Sequence, residues 1–208
     1  MVGLTIGLLV VAGAMALFAQ QLMATRRTLL EARLNQHLRA AADLIVRDLR
    51  RASFWRDAIT GTQAVGATAV TAAHPYRTVS STADAVVCAF PRAATEDNAL
   101  GAAGQFGFRR TSAGLLPMQV GQGSWPGLVA PSLVRIVAFT ITPTQRVLPL
   151  GDLCATACPP GTPNCPSTTV RQFNLVLRGE AVADAAVRRE LRMAVRLRND
   201  QFDGACPA

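Results

Sequence analysis

The first nineteen residues, MVGLTIGLLVVAGAMALFA, contain one polar residue, Thr5, and no proline, and they run without a break into a long arginine-studded stretch. At a rise of about 1.5 Å per residue, nineteen helical residues span about 28 Å, close to the ~30 Å hydrocarbon core of a bilayer. The run therefore predicts the membrane half of a helix over residues 1–22. Ala14, Ala16 and Ala19 would suit a cleavable secretory signal, but such a signal has positive charge ahead of its apolar core, and no lysine or arginine precedes Arg26. Arg26 and Arg27, directly after the run, would hold the body of the protein in the cytoplasm by the positive-inside rule. The cysteines ask for the opposite side.

Five cysteines are present, four of them late in the chain at Cys154, Cys158, Cys165 and Cys206, with Cys88 in an earlier apolar run. The segment GDLCATACPPGTPNCPS surrounds three of them with proline, glycine, serine and asparagine. Such a loop has little apolar content of its own and needs covalent staples. Zinc is a poor fit, because the spacing lacks paired CxxC or Cys–His units and only His37 and His74 could complete a site. One cysteine must stay outside two bridges. Five choices of that cysteine, each with three pairings, leave 15 arrangements open. Bridged cysteines imply an oxidising compartment for a body with a stapled loop at 151–168.

Without the membrane half, about 150–190 residues remain, enough for one domain with its own core. The net charge of +8 comes from arginine with no lysine. Abundant arginine, alanine and glycine together point to GC-rich coding, which weakens the charge as a functional signal. The arginines are also spread out and sit beside acids, as in Arg47-Asp48 and Arg189-Glu190, so nucleic acid is not an expected partner.

Residues 20–57 read as helix. Leu30, Leu34, Leu38, Ala41, Ile45, Leu49 and Ala52 recur at spacings of three and four and share one face. The other face interleaves Arg33, Arg39, Arg47, Arg50 and Arg51 with Glu31, Asp43 and Asp48, the pattern of a solvated surface. This amphipathic half is placed at 23–58, with its leucine stripe lying on the domain that follows. From residue 59 the chain turns to short apolar runs broken by glycine and proline. Strands are predicted at 84–90, 105–111, 115–120, 133–142, 170–178 and 187–198. The last is the clearest, since Leu191, Met193, Val195 and Leu197 alternate with Arg192, Ala194, Arg196 and Arg198. Residues 179–184 are read as a longer hairpin loop. The fold class expected is α+β, a long N-terminal helix packed on an antiparallel β-sheet in a β-rich head spanning 59–208.

No catalytic motif stands out. HExxH, GxSxG, a P-loop and a glycine-rich turn after a strand are all missing, and Gly121-Gln122-Gly123 leads into Ser-Trp-Pro as a turn. His37 and His74 are isolated, and Glu96-Asp97 reads as a solvated acidic loop. No catalytic, cofactor-binding or metal-ligating residue is assigned, no cofactor or small-molecule substrate is expected, and an enzyme is not the reading.

Three segments, MVGLTIGLLVVAGAMALF, LIVRDLRRASFW and VRRELRMAVRLRND, resemble the minor pilins of the type IV pilus, specifically the PilW type, with the type II secretion pseudopilin J a close relative. The resemblance implies a pilin-like fold and a single-pass subunit of the bacterial inner membrane, its head in the periplasm, that enters a cell-surface pilus and primes its assembly. Implied partners are other minor pilins, the major pilin and the pilus assembly platform, and twitching motility is the implied activity. A secretion pseudopilin and a membrane-anchored periplasmic DNA-binding protein for DNA uptake are the alternatives. Gly3, Gly7 and Gly13 would supply small residues for helix packing in the membrane. The leader, the prepilin cleavage site and the start of the mature chain are expected upstream of Met1. Ser53 stands where the family often has glycine, a departure expected to be of no consequence.

Overall fold

The computed structural model describes residues 2–62, 72–91, 100–159 and 161–207. A single helix, α1 (Val2–Arg51), runs for 50 residues and is about 75 Å long at ~1.5 Å per residue. No proline interrupts it and no glycine follows Gly13 within it. Two antiparallel sheets follow. The first has the order β1 (Ser80–Ser81), β2 (Ala85–Ala89), β3 (Gln105–Arg109), β4 (Met118–Val120). The second has β5 (Val134–Pro149), β6 (Ser167–Ala181) and β7 (Asp184–Arg196) in order, and β8 (Gln201–Asp203) pairs with the start of β6. The molecule is thus α+β, with a long helix laid across antiparallel strands.

The helix lies over β6 and β7. Leu34, Leu38, Ala41, Ala42, Ile45, Leu49 and Ala52 are buried in one core with Phe173, Leu175 and Leu177 of β6, Val187 and Val195 of β7, and Val86, Phe106 and Phe108 of the first sheet. Leu30 is half-buried at the rim of this core. Helix and β6 approach so closely at Gly179 that a Cβ there would lie 2.9 Å from Leu38 Cδ2. Glycine is needed at that point by the helix above it, not by a turn.

Four expectations are corrected. The amphipathic half does not reach residue 58, since α1 ends at Arg51 and only a short 3-10 turn, Ala58–Gly61, follows. The cause is Ser53, which takes a left-handed φ of 60°. The Ala52 N–H still bonds back to the Asp48 carbonyl at 3.1 Å, but the Ser53 N–H leaves the helix and donates to Ala89 O at 2.9 Å. The loop at 179–184 is a two-residue turn, because β6 continues to Ala181 and Ala181 pairs with Asp184. The strand predicted to stop at 142 continues to Pro149, paired throughout with β6. β5 is an edge strand, where Pro143 and Pro149 can sit without breaking a ladder on both sides. In the segment predicted at 115–120, only Met118–Val120 is strand. β1 and β8 are too short to carry a readable alternation. Glu96 and Asp97 lie outside the described residues.

Candidate functional site

Every described side chain from Val2 to Leu29 is exposed, and thirteen of these are large and apolar, with Leu9 75% accessible. Moving thirteen such side chains out of water is worth on the order of 20 kcal/mol, more than the ~5–15 kcal/mol that holds an ordinary domain together. This half of α1 is built for lipid or for other apolar helices. It is the one span among the described residues that is long and apolar enough to cross a membrane. A Cβ at Gly3, Gly7 or Gly13 would meet nothing within 4 Å. At ~100° per residue, Gly3 and Gly7 share a face with Ala14, whereas Gly13 lies about 120° away from Gly7.

The same helix is firmly held lower down. Beyond the buried leucines, Arg189 of β7 donates to Glu31 Oε2 at 2.6 Å, and Glu31 also meets Arg27 at 3.5 Å. Its exit is clamped at Ser53. The Ser53 Oγ accepts from an Arg171 terminal nitrogen at 2.9 Å, and its carbonyl accepts from His74 Nε2 at 3.1 Å. Arg171 in turn donates to Arg77 O at 2.8 Å. The His74 Nδ1 accepts the Tyr76 N–H at 3.1 Å, which fixes the neutral ring with its proton on Nε2. Burial, and then the charges of Arg171 and Arg77, push the His74 pKa down, against the pull of its bond to Ser53. Trp55 packs on His74 at 5.0 Å between ring centres.

Sequence reasoning missed this clamp. His74 reads in the sequence as an isolated loop residue. Arg171 is in phase with Phe173, Leu175 and Leu177, on the inward face of β6, and an arginine on that face was the available signal.

Two cysteine pairs close the far end of the head. Cys154 is bonded to Cys206 and Cys158 to Cys165, with Cα separations of 5.4 and 5.8 Å. The first ties the loop after β5 to the C-terminal segment beyond β8, and the second closes a small ring within the loop. Cys88 is left free and buried. Burial, and then the charge of Asp48, push its thiol up to about 12. Asp48, also buried, has its own carboxyl pushed up by burial, partly offset by Arg47 and Arg51.

An exposed apolar stem, continuous in one helix with a stripe locked into an antiparallel β head, is the build of a pilin-like subunit. The match to known families agrees with that class. The model of the prepilin peptidase-dependent protein B family covers residues 27–197, and the chain belongs to that family. Neither the curated proteins nor the solved structures contain a match to it. The matched region starts just after the apolar stem, so the amphipathic half of α1 and the head carry the family signal.

Proposed function

We propose that the chain is a minor pilin of the type IV pilus, of the PilW type, anchored by α1 in the inner membrane with its head in the periplasm. In this role it helps to prime filament assembly together with other minor pilins, the major pilin and the assembly platform. The observation that carries the reading is the division of labour along one unbroken helix. The described side chains of residues 2–29 are uncovered, while Leu34, Leu38, Ile45 and Leu49 of the same helix are locked into the head. The stem cannot fold back onto the head, so it exchanges lipid for the stems of neighbouring subunits, and the Gly3–Gly7–Ala14 face permits close approach. The two disulfides fit a periplasmic head. No catalysis and no small-molecule substrate enter this role.

The test is a deletion in the native host combined with mass spectrometry of the native N-terminus. A processed, N-methylated chain, loss of surface filaments and twitching on deletion, and recovery of the chain as a trace component of sheared filaments are the expected results. Intact filaments with failed protein secretion would move the assignment to a pseudopilin J-like subunit. An unprocessed chain whose loss changes neither would overturn both.

A further inference from the structure

A cleft of about 780 Å³ opens where the last turns of α1 meet the end of β7. Arg47, Arg50 and Arg51 line it from the helix, and Arg196 and Arg198 from the strand side. Half-buried Val46 and buried Leu197 contribute apolar surface between them. The two walls are joined, because the Arg198 N–H donates to the Arg50 carbonyl at 3.3 Å. Some of this charge is already answered: Arg47 meets Asp48 at 3.5 Å, Arg196 meets Asp200 at 2.8 Å, and Arg51 lies over the Phe90 ring at 4.4 Å. Arg50 and Arg198 make no ion pair among the described residues. The helix dipole favours basic residues in the last turn of α1, but it does not explain two arginines from another element facing the same cleft.

We infer that this cleft is a docking surface for an acidic segment of a different pilin-class subunit, one that presents carboxylates around an apolar residue. The inference rests on the proposed function and names the chemistry of the neighbour. A second copy of this chain is the wrong partner. Residues 26–51 hold seven arginines and three acids, so two such helices side by side would set a net +4 against a net +4. Lipid headgroups are out of reach, since Arg50 lies 28 residues, or about 42 Å of helix, beyond Leu22. A nucleic-acid backbone fits poorly, because Asp43, Asp48 and Asp200 stand among the arginines and the surface between them is apolar. Guanidinium groups paired bidentately with carboxylates around a small apolar contact suit a protein segment.

The test uses the full chain in the native host, with Asp43, exposed on the rim, replaced by the photocrosslinking residue p-benzoylphenylalanine. A second strain has the same probe in place of Leu17 in the stem. The expected result at position 43 is an adduct to another prepilin-type chain through a peptide rich in carboxylates. Arg50→Glu with Arg198→Glu should lower that adduct by about tenfold or more while leaving the stem adducts in place. Arg50→Gln with Arg198→Gln serves if the reversal fails to form the Cys154–Cys206 bridge. An adduct at 43 to a second copy of this chain or to DNA, one indifferent to these substitutions, or none at all while the stem still crosslinks to protein, overturns the cleft and leaves the pilin reading intact. No protein adduct at either position removes both.

Discussion

Ser53→Ala and Ser53→Gly separate two opposing terms at the helix exit. Ser53 is fully buried with a φ of 60°, a backbone state that costs an L residue about 1–2 kcal/mol. Against this, its hydroxyl accepts from Arg171 at 2.9 Å, and a hydrogen bond to a charged group contributes about 1.5–3 kcal/mol. Arg171 can ill spare it, because its Nε has no partner among the described residues. Alanine keeps the strained backbone and loses the bond, so it should destabilise by about 1.5–3 kcal/mol. Glycine loses the bond but sheds the strain, which its greater unfolded freedom offsets by roughly 0.5–1 kcal/mol. It should therefore lie about 0.5–1 kcal/mol above alanine and remain below the natural serine. The assay is urea unfolding of the full chain in detergent micelles, followed by tryptophan fluorescence in a Trp125→Phe background, which leaves Trp55, 5% exposed beside the clamp, as the reporter. A glycine variant no more stable than alanine would refute the left-handed backbone. One more stable than serine would refute the bond to Arg171. In an Arg171→Met background the bond is already gone, and glycine should then be the more stable residue.

Three further outcomes follow from the clamp, the core and the staples. His74 has a lowered pKa in the fold, so the unfolded chain binds the extra proton; stability is constant above about pH 6.5 and falls as pH drops below it. His74→Phe should flatten that part of the unfolding-midpoint curve, and an unchanged slope would count against the neutral ring. Gly179→Val should cost about 1–3 kcal/mol by overpacking against Leu38, and Leu38→Ala should cost less in the valine background than alone, as a double-mutant cycle would reveal. Loss of the Cys154–Cys206 bridge, with a sequence separation of 52, should cost about 4 kcal/mol, and loss of Cys158–Cys165, separated by 7, about 2 kcal/mol. Peptide mapping without reduction should recover those two pairs, with Cys88 unreactive to iodoacetamide until the head unfolds.

Much of the fold was written in local periodicity. An apolar run of bilayer length, a leucine stripe at helical spacing and the Leu191–Met193–Val195–Leu197 alternation each report which face of an element avoids water, and that depends on neighbours only a few residues away. The stem and the helix face on the head were legible for this reason. The clamp was not, because Ser53, the His74–Tyr76 stretch and Arg171 come from three separate parts of the chain, and only Arg171, on the inward face of β6, stands out in its own surroundings. A serine after Arg50-Arg51-Ala52 reads as a continuing helix until the Ala89 carbonyl takes its N–H.

The sequence by itself determined that a membrane-type helix continues into an amphipathic one, that a strand-rich head follows, and that the cysteines outnumber any two bridges. Only the tertiary structure decided that Cys88 is the one left out, that α1 stops at Arg51, that Gly179 is a contact and not a turn, and that arginines far apart in the chain share a cleft. These are matters of which distant segments meet. Chain entropy makes many such meetings comparable until the helix packs on β6 and β7, and burial of that single shared core selects among them.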